Sequence, residues 1–600
     1  MYDSKARQSG LLLITALLII AMTGLLYYPI LNGEFVWDDF MYLSNNPHIQ
    51  QINWENLKWM LTTLHLANWH PLTWLSFSLD YFWQGELSPW GFHLTNIILH
   101  GLNSVGLFFL TILLLNIAQY GLSAASLRPY HLSIFVAAII AAVLFSFHPQ
   151  HVESVAWIAE RKDVLSLFFF LLTLILYVFY TKTADWRYYL AACIIFLLAI
   201  MAKPMVVTLP VLLLLLDIYP LQRTALLKPN DAEGSTVTWY QLLIEKIPFF
   251  AIALLSIVLT LFAQRGAMVP LEFITLFIRT INAINSVFLY ISKWLLPISL
   301  SPLYIYPDYV MSAQDWLKII TLLGGFTFAT SLSIYYWFKH KPYFLIAWLF
   351  YLVAVSPVIG IIQTGVQSAA DRYAYLPTIP FYILISAGIV DLYFKPRQHF
   401  KTALKSLLAA AVVIVCLMLF KLNRDQLQIW QNNIFFWSYI VQVSPTNAMA
   451  HHNLAVHYFS DRNYEKALEH ALTSIHFGYY AKLGQSFLAE NFIWLGRFDE
   501  AIIAYQNALE LNMEPKLRKD CVYYNIGLIY TKKGQFTEAH PAFEQVKAGS
   551  PEYGNAQGLM KLLEMLDNKT LEQSKFDELL NQLTPCFSSS DVNSELVSPP

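Results

Sequence analysis

Two adjacent carboxylates, Asp38 and Asp39, lie in Phe35-Val36-Trp37-Asp38-Asp39-Phe40, just after the first long apolar run, Leu11 to Ile30. That run is long enough to cross a hydrocarbon core about 30 Å thick, so the pair is expected at or just beyond a membrane surface. Acids in such a place can simply mark where a helix leaves lipid. Flanked by Trp37 and Phe40 and followed by an aromatic, His-containing segment, they also suit a second use. Aromatic surface raises a carboxylate pKa toward the range of a general base.

Other polar groups stand out against apolar sequence. His148, His151 and Glu153 belong to the block His148-Pro-Gln-His151-Val-Glu153-Ser-Val-Ala-Trp157, which leads into Glu160-Arg161-Lys162-Asp163. The two histidines and Glu153 could offer a divalent metal three ligands, or the imidazoles could satisfy backbone carbonyls. Arg161 and Lys162, each taken alone, read as interfacial anchors. Lys203, in the turn Lys203-Pro204, and Arg372, in Asp371-Arg372-Tyr373-Ala374-Tyr375-Leu376-Pro377, sit where a charge is costly unless it is used. Cations beside an acid pair at a lipid surface point to a lipid-linked phosphate, with the carboxylates acting on a neighbouring hydroxyl.

The elements that must position these groups follow from composition. The 600 residues are 56% hydrophobic, 16% aromatic and only 13% charged, with a formal net charge of −2. This is the balance of an all-α polytopic membrane protein, and it holds no basic excess to suggest nucleic acid. Lys5 and Arg7 precede a first span with no small-residue cleavage site behind it, so a retained span with a cytoplasmic amino terminus is expected. Further spans are expected at 93–117, 131–147, 164–180, 188–202, 205–218, 247–262, 316–338, 343–362, 376–393 and 403–420. Basic residues at Lys182/Arg187, Arg223/Lys228, Lys339/Lys341 and Lys395/Arg397/Lys401/Lys405 mark the cytoplasmic loops. Counting 273–303 as a crossing would turn Lys339 and Lys341 outward, so that stretch is expected to be re-entrant, giving about eleven spans. The loop of about fifty residues after the acid pair is expected to carry an interfacial helix over 54–61. The four cysteines, Cys193, Cys416, Cys521 and Cys586, show no metal spacing.

From Leu422 the sequence becomes soluble, mixed-charge and repetitive. Leu454, Ala455, Tyr458 and Ala467 are answered by Leu488, Ala489, Phe492, Gly496, Ala501, Tyr505 and Ala508, then by Ile526, Gly527, Tyr530, Gly534, Ala539 and Phe543. The spacing from Ala455 to Ala489 is 34 residues, the tetratricopeptide period, and from Ala489 to Gly527 it is 38. The expected organisation is a membrane domain over 1–421, a tetratricopeptide α-solenoid over 422–583 with repeats near 448–481, 482–515 and 520–553, and a disordered tail over 584–600.

Taken together, the Trp-Asp-Asp stretch, Trp69-His70-Pro71, Pro89-Trp90-Gly91-Phe92-His93, Asn96 to His100, the 148–157 block, Ala202-Lys203-Pro204 with Leu209-Pro210 and Asp217, the 371–377 block and the repeats resemble the transmembrane and tetratricopeptide repeat-containing O-mannosyltransferases, and more closely their bacterial relatives. The resemblance implies a C-type glycosyltransferase fold that moves a sugar, mannose in that family, from a polyprenyl-phosphate donor to a Ser/Thr hydroxyl of an acceptor protein on the non-cytoplasmic face. It implies Asp38 or Asp39 as base, Arg161, Lys203 and Arg372 as holders of the donor phosphate, and the repeats as presenters of the acceptor. It places the chain in a bacterial inner membrane with the repeats in the periplasm. Two departures are Asp371-Arg372 where the animal proteins usually have Glu-Arg, and Lys203-Pro204 where they tend to have Lys-Glu. The alternative from another class is a non-catalytic membrane-anchored scaffold for envelope or polysaccharide assembly. A transporter fits less well, because the ionisable residues lie at the ends of the spans.

Overall fold

The computed structural model describes residues 2–122, 131–224, 237–306, 312–362, 365, 367–394, 401–478, 481–511 and 518–586. The basic positions Lys228, Lys395 and Arg397, and the tail from 587 onward, lie outside the described residues. The chain forms two compact units, one ending at Gln431 and the other beginning at Asn432.

The first unit is helical almost throughout. Its helices are α1 (Tyr2–Tyr27), α2 (Trp54–Thr62), α3 (Pro71–Gln84), α4 (Pro89–Tyr120), α5 (Leu132–Phe147), α6 (Val152–Ala156), α7 (Arg161–Thr183) and α8 (Trp186–Ala202). They continue with α9 (Leu209–Ile218), α10 (Trp239–Ala263), α11 (Leu276–Leu295), α12 (Ala313–Phe338), α13 (Tyr343–Val355), α14 (Ile379–Phe394) and α15 (Lys401–Ile429). Among the described residues, the stretches 8–32, 89–120, 158–183, 239–263, 313–338 and 402–429 are long and apolar enough to cross a membrane, and the chain is a multi-pass membrane protein. The stretches 186–202, 204–218, 343–358 and 379–394 are apolar but shorter, so that seventeen residues reach about 26 Å. Between α5 and α6 the direction changes by 55° at Pro149, which cannot continue a helix.

Outside these runs, the loop after the acid pair is built rather than slack. The α2 helix is capped by Asn53, whose side chain accepts from the Asn56 N–H, and Pro71 opens α3. The 273–303 stretch contains α11, amphipathic rather than apolar all round, with Ala283, Val287 and Tyr290 buried on one face. A two-stranded antiparallel ribbon, β1 (Tyr304–Ile305) with β2 (Gln367–Ala369), delivers the chain to Asp371.

The second unit is a series of helical hairpins. After α16 (Asn433–Val443) come the pairs α17 (Ala448–Ser460) with α18 (Tyr464–His476), α19 (Ala481–Trp494) with α20 (Phe498–Glu510) and α21 (Lys519–Lys532) with α22 (Phe536–Glu544), then α23 (Tyr553–Asp567) and α24 (Gln573–Asn581). Small residues make the close contacts: Ala455, Ala489, Ala501 and Ala508 are fully buried. A Cβ on Gly527 would lie 2.5 Å from the Phe543 ring, so this close approach requires glycine. Cys521 and Cys586, 65 residues apart, form a disulfide across a 5.7 Å Cα separation. The Asn525 side chain fixes the far end, donating to the Cys586 carbonyl and accepting from its N–H, both at 2.8 Å.

Candidate active site

Beyond α1 the chain turns at Gly33, where a Cβ would meet the Ile30 carbonyl at 2.9 Å and His93 Nε2 at 3.1 Å. Trp37 then adopts φ +56°, a left-handed conformation that costs a bulky residue free energy and persists only where the surroundings enforce it. Stacking on Trp157 supplies that constraint, with ring centroids 4.8 Å apart and planes 3° from parallel.

The two acids differ in circumstance. The Asp39 carboxylate is 1% exposed and accepts the Val36 N–H at 2.9 Å and the Ala159 N–H at 2.7 Å, tying this loop to the segment before α7. Asp38 is half-buried, and its carboxylate accepts no hydrogen bond from any described residue. Burial pushes Asp38 up to about 7, with Lys162 and Arg372 pulling the other way. It pushes Asp39 up to about 8 against the two backbone donors, the charge on Asp38 adding to the rise.

Facing them is a group of cations gathered on one carboxylate. Glu160, 2% exposed, has Lys162 Nζ at 3.1 Å and Arg372 Nε at 3.3 Å from Oε1, and Lys203 Nζ at 3.0 Å from Oε2. Asp163 adds a second anion to Lys203 at 2.5 Å and accepts from Ser154 at 3.1 Å. Glu153 pairs with the Arg372 guanidinium and accepts its backbone N–H at 3.0 Å. Aromatic rings line the gaps: Lys162 lies 4.9 Å from the Tyr42 centroid, and Arg372 lies 5.3 Å from Trp157 and 5.0 Å from Tyr373. Burial pulls the Lys203 ammonium down, but Asp163 and Glu160 outweigh it and hold it above its ordinary value. Asp371 supports Arg372 from the ribbon, accepting the Ser301 N–H at 3.1 Å and the Tyr304 hydroxyl at 3.0 Å; burial, with the charge of Glu153, pushes it up to about 8.

Of the residues singled out in the sequence, the structure gathers Lys203, Arg372 and Glu153 around Glu160, with Lys162 and Arg372 acting on the charge of Asp38. Arg161 is turned elsewhere. Its side chain is fully buried; it donates to Asp80 and to the Phe92 carbonyl at 2.7 Å each, to Asn96, and to Ser76 at 3.4 Å. Successive residues on a helix point about 100° apart, so Glu160 and Asp163, three apart, share the face toward Lys203 while Arg161 looks toward α3 and α4. Lys162, Glu160 and Asp163 are therefore the members that sequence reasoning did not place, and the i, i+3 spacing of the two acids was their available signal.

The metal set suggested by His148, His151 and Glu153 is not brought together. His148 Nε2 donates to the Trp294 carbonyl at 2.8 Å, His151 Nδ1 to the Phe145 carbonyl at 2.8 Å with Tyr382 at 3.3 Å from its Nε2, and Glu153 is committed to Arg372. Both imidazoles satisfy backbone, which leaves them no convergent lone pairs. Among the described residues, the one close group of three potential ligands is Cys521, Glu552 and Cys586, whose sulfurs are already joined.

Comparison with known proteins bears on this geometry. The protein O-mannosyl-transferase TMTC4 of Homo sapiens is 34% identical over 155 residues, covering 24% of this chain and 20% of that protein. Tmtc2 of Drosophila melanogaster is 30% identical over 181 residues, 29% of this chain and 17% of its own. Over a longer stretch, the protein O-mannosyl-transferase F38B6.6 of Caenorhabditis elegans is 24% identical over 462 residues, 75% of this chain and 60% of the relative. This chain resembles the protein O-mannosyl-transferases. The matches to TMTC4 and Tmtc2 span about a fifth of those relatives. Residues 522–548 match the model of a tetratricopeptide repeat. No solved structure matches.

Proposed function

We propose that this chain is an integral-membrane glycosyltransferase that moves a sugar, mannose by analogy with its relatives, from a polyprenyl-phosphate donor to a Ser/Thr hydroxyl of an acceptor protein on the non-cytoplasmic face. The observation that carries this reading is Asp38, an unengaged carboxylate at the edge of a three-cation cradle. In the proposed reaction the acceptor oxygen attacks the anomeric carbon as the bond from that carbon to the phosphate oxygen breaks, inverting the centre. Asp38 takes the hydroxyl proton, and the polyprenyl phosphate leaves with its charge held by Lys162, Lys203 and Arg372. Asp39, already accepting two backbone N–H groups, holds the loop in place rather than taking the proton. Arg161 supports the scaffold through Asp80.

An apolar cleft of about 890 Å³, lined by residues such as Leu110, Leu114, Phe350, Phe381 and Ile385 and reaching Trp294, suits a prenyl chain. The indole of Trp294 lies nearly parallel to the His148 ring, which links the cleft to the outer polar cluster. The repeats are proposed to present the acceptor. The Cys521–Cys586 disulfide favours an oxidising compartment for them, which agrees with eleven crossings and, in a bacterium, with the periplasm.

The test is transfer from radiolabelled polyprenyl-phosphate mannose to envelope protein, comparing membranes with the wild type, Asp38→Asn and Asp39→Asn. Label entering protein with the wild type and lost in Asp38→Asn, with folded protein present in equal amount, is the expected result. Equal transfer by Asp38→Asn refutes the assignment. A scaffold role instead predicts that removal of the repeats, and not of the acids, abolishes function.

A further inference from the structure

The aromatic group beside the acid pair has a third member. Trp157, 2% exposed, stacks with Trp37 and also with Trp430, the latter with 5.5 Å between centroids and 23° between planes. Trp430 is 1% exposed and stands just past the end of α15, nearly four hundred residues from Trp37 in sequence. Beside it, the Gln431 carbonyl accepts the Glu34 N–H at 2.8 Å, so the end of α15 also grips the backbone of the loop that carries Asp38. The end of α15 is thus joined to Trp157 by a ring stack and to the loop that carries Asp38 by a backbone hydrogen bond.

We propose that Trp430 is a positioning residue for Asp38: by packing on Trp157 it holds Trp37 in its left-handed conformation, and so fixes the direction and the aromatic surroundings of the adjacent carboxylate. The physical reason is mechanical. A φ of +56° costs a bulky residue free energy, so loosening the stack on Trp157 favours an ordinary conformation at Trp37, with rotation of the peptide plane that leads into Asp38. Trp157 also carries the Arg372 guanidinium 5.3 Å from its ring centroid, and Trp430 adds the second aromatic contact that holds the indole. Packed aromatic surfaces of this kind contribute through area and through offset stacking together, so truncation of Trp430 opens a cavity that water can enter. The proposal rests on the reading of Asp38 as the base of the transfer reaction.

Its test does not require transfer to occur. A carbodiimide reacts with protonated carboxyl groups, so the extent of Asp38 labelling against pH, read by peptide mass spectrometry on the full-length protein in detergent, reports the carboxyl directly. Expected are a wild-type midpoint near neutrality, a midpoint lower by about one pH unit or more in Trp430→Ala as water reaches the carboxylate, and recovery of the wild-type profile in Trp430→Phe. An unshifted profile in Trp430→Ala overturns the proposal. Should that variant fail to fold, Trp430→Leu, which keeps apolar bulk but not the stack, takes its place: a lowered midpoint supports the positioning role, and an unshifted one overturns it. A wild-type protein that shows the labelling behaviour yet transfers no sugar separates failure of the proposed function from failure of the stack.

Discussion

Replacing Asp80 by alanine isolates the claim that Arg161 belongs to the scaffold. The guanidinium of Arg161 is fully buried, and Asp80, 2.7 Å away, is the carboxylate paired with it. Truncation leaves a buried cation with only neutral acceptors, Phe92 carbonyl, Asn96 and Ser76. Removing one partner of a buried pair costs about 3–5 kcal/mol, which is roughly a hundredfold to several thousandfold in the ratio of folded to unfolded protein. Replacing both, as in Asp80→Leu/Arg161→Met, removes the charge and keeps the volume, so most of the loss should be recovered, with a coupling energy of about 2–3 kcal/mol. Unfolding in mixed micelles followed by circular dichroism measures all three variants. Asp80→Ala as stable as the wild type, or a double variant no better than the single, refutes the reasoning. So does a double variant that keeps its stability but loses the dependence of transfer on donor concentration, since that would return Arg161 to the donor site.

Other outcomes follow from the same geometry. A base must be ionised to act, so with Asp38 raised to about 7 transfer should fall about tenfold per pH unit below neutrality and level off above it; a profile flat from pH 5 to 8 counts against Asp38. Lys162→Gln and Lys203→Gln should each raise the KM for donor more than they lower kcat, whereas comparable loss from removing His148 would point to a different site. Gly527→Ala should destabilise the second unit by about 1–3 kcal/mol, through the clash with Phe543, in thermal unfolding of the full chain. A cysteine at Ser460 should react with an impermeant maleimide applied from the non-cytoplasmic side, and labelling only from the cytoplasm would overturn the eleven-span orientation.

Much of this architecture is visible in the residues because it depends on local pattern. Apolar runs such as Leu11 to Ile30 and Ala403 to Phe420 need no partner to declare themselves, and the Ala455–Ala489–Gly527 ladder repeats because each hairpin buries the same small-residue contact. The Asp38–Asp39 stretch was likewise legible from its position and flanking aromatics. What could not be read were choices made across long separations. Arg161 and Lys162 are chemically alike and adjacent, and only the places of α3 and Lys203 decide which faces the cradle. The histidines of the 148–157 block carry metal-like spacing, yet the bend at Pro149 turns them onto the carbonyls of Phe145 and Trp294. Trp430 lies beyond the last apolar run, where nothing local marks it, and the pairing of Cys521 with Cys586 depends on the chain returning past α24.

The balance of charge within the cradle has a bearing on turnover. Lys162, Lys203 and Arg372 are each already matched by Glu153, Glu160 or Asp163, so the site is not a positive hole awaiting an anion. A phosphate arriving there exchanges carboxylate contacts for its own, and its net affinity is the difference between two sets of ion pairs rather than the sum of one. The same carboxylates stand ready to retake the cations once the sugar has gone. In the proposed reaction the spent lipid phosphate, a monoester, carries more charge than the donor diester, so competition from these carboxylates is what opposes its retention at the end of each cycle.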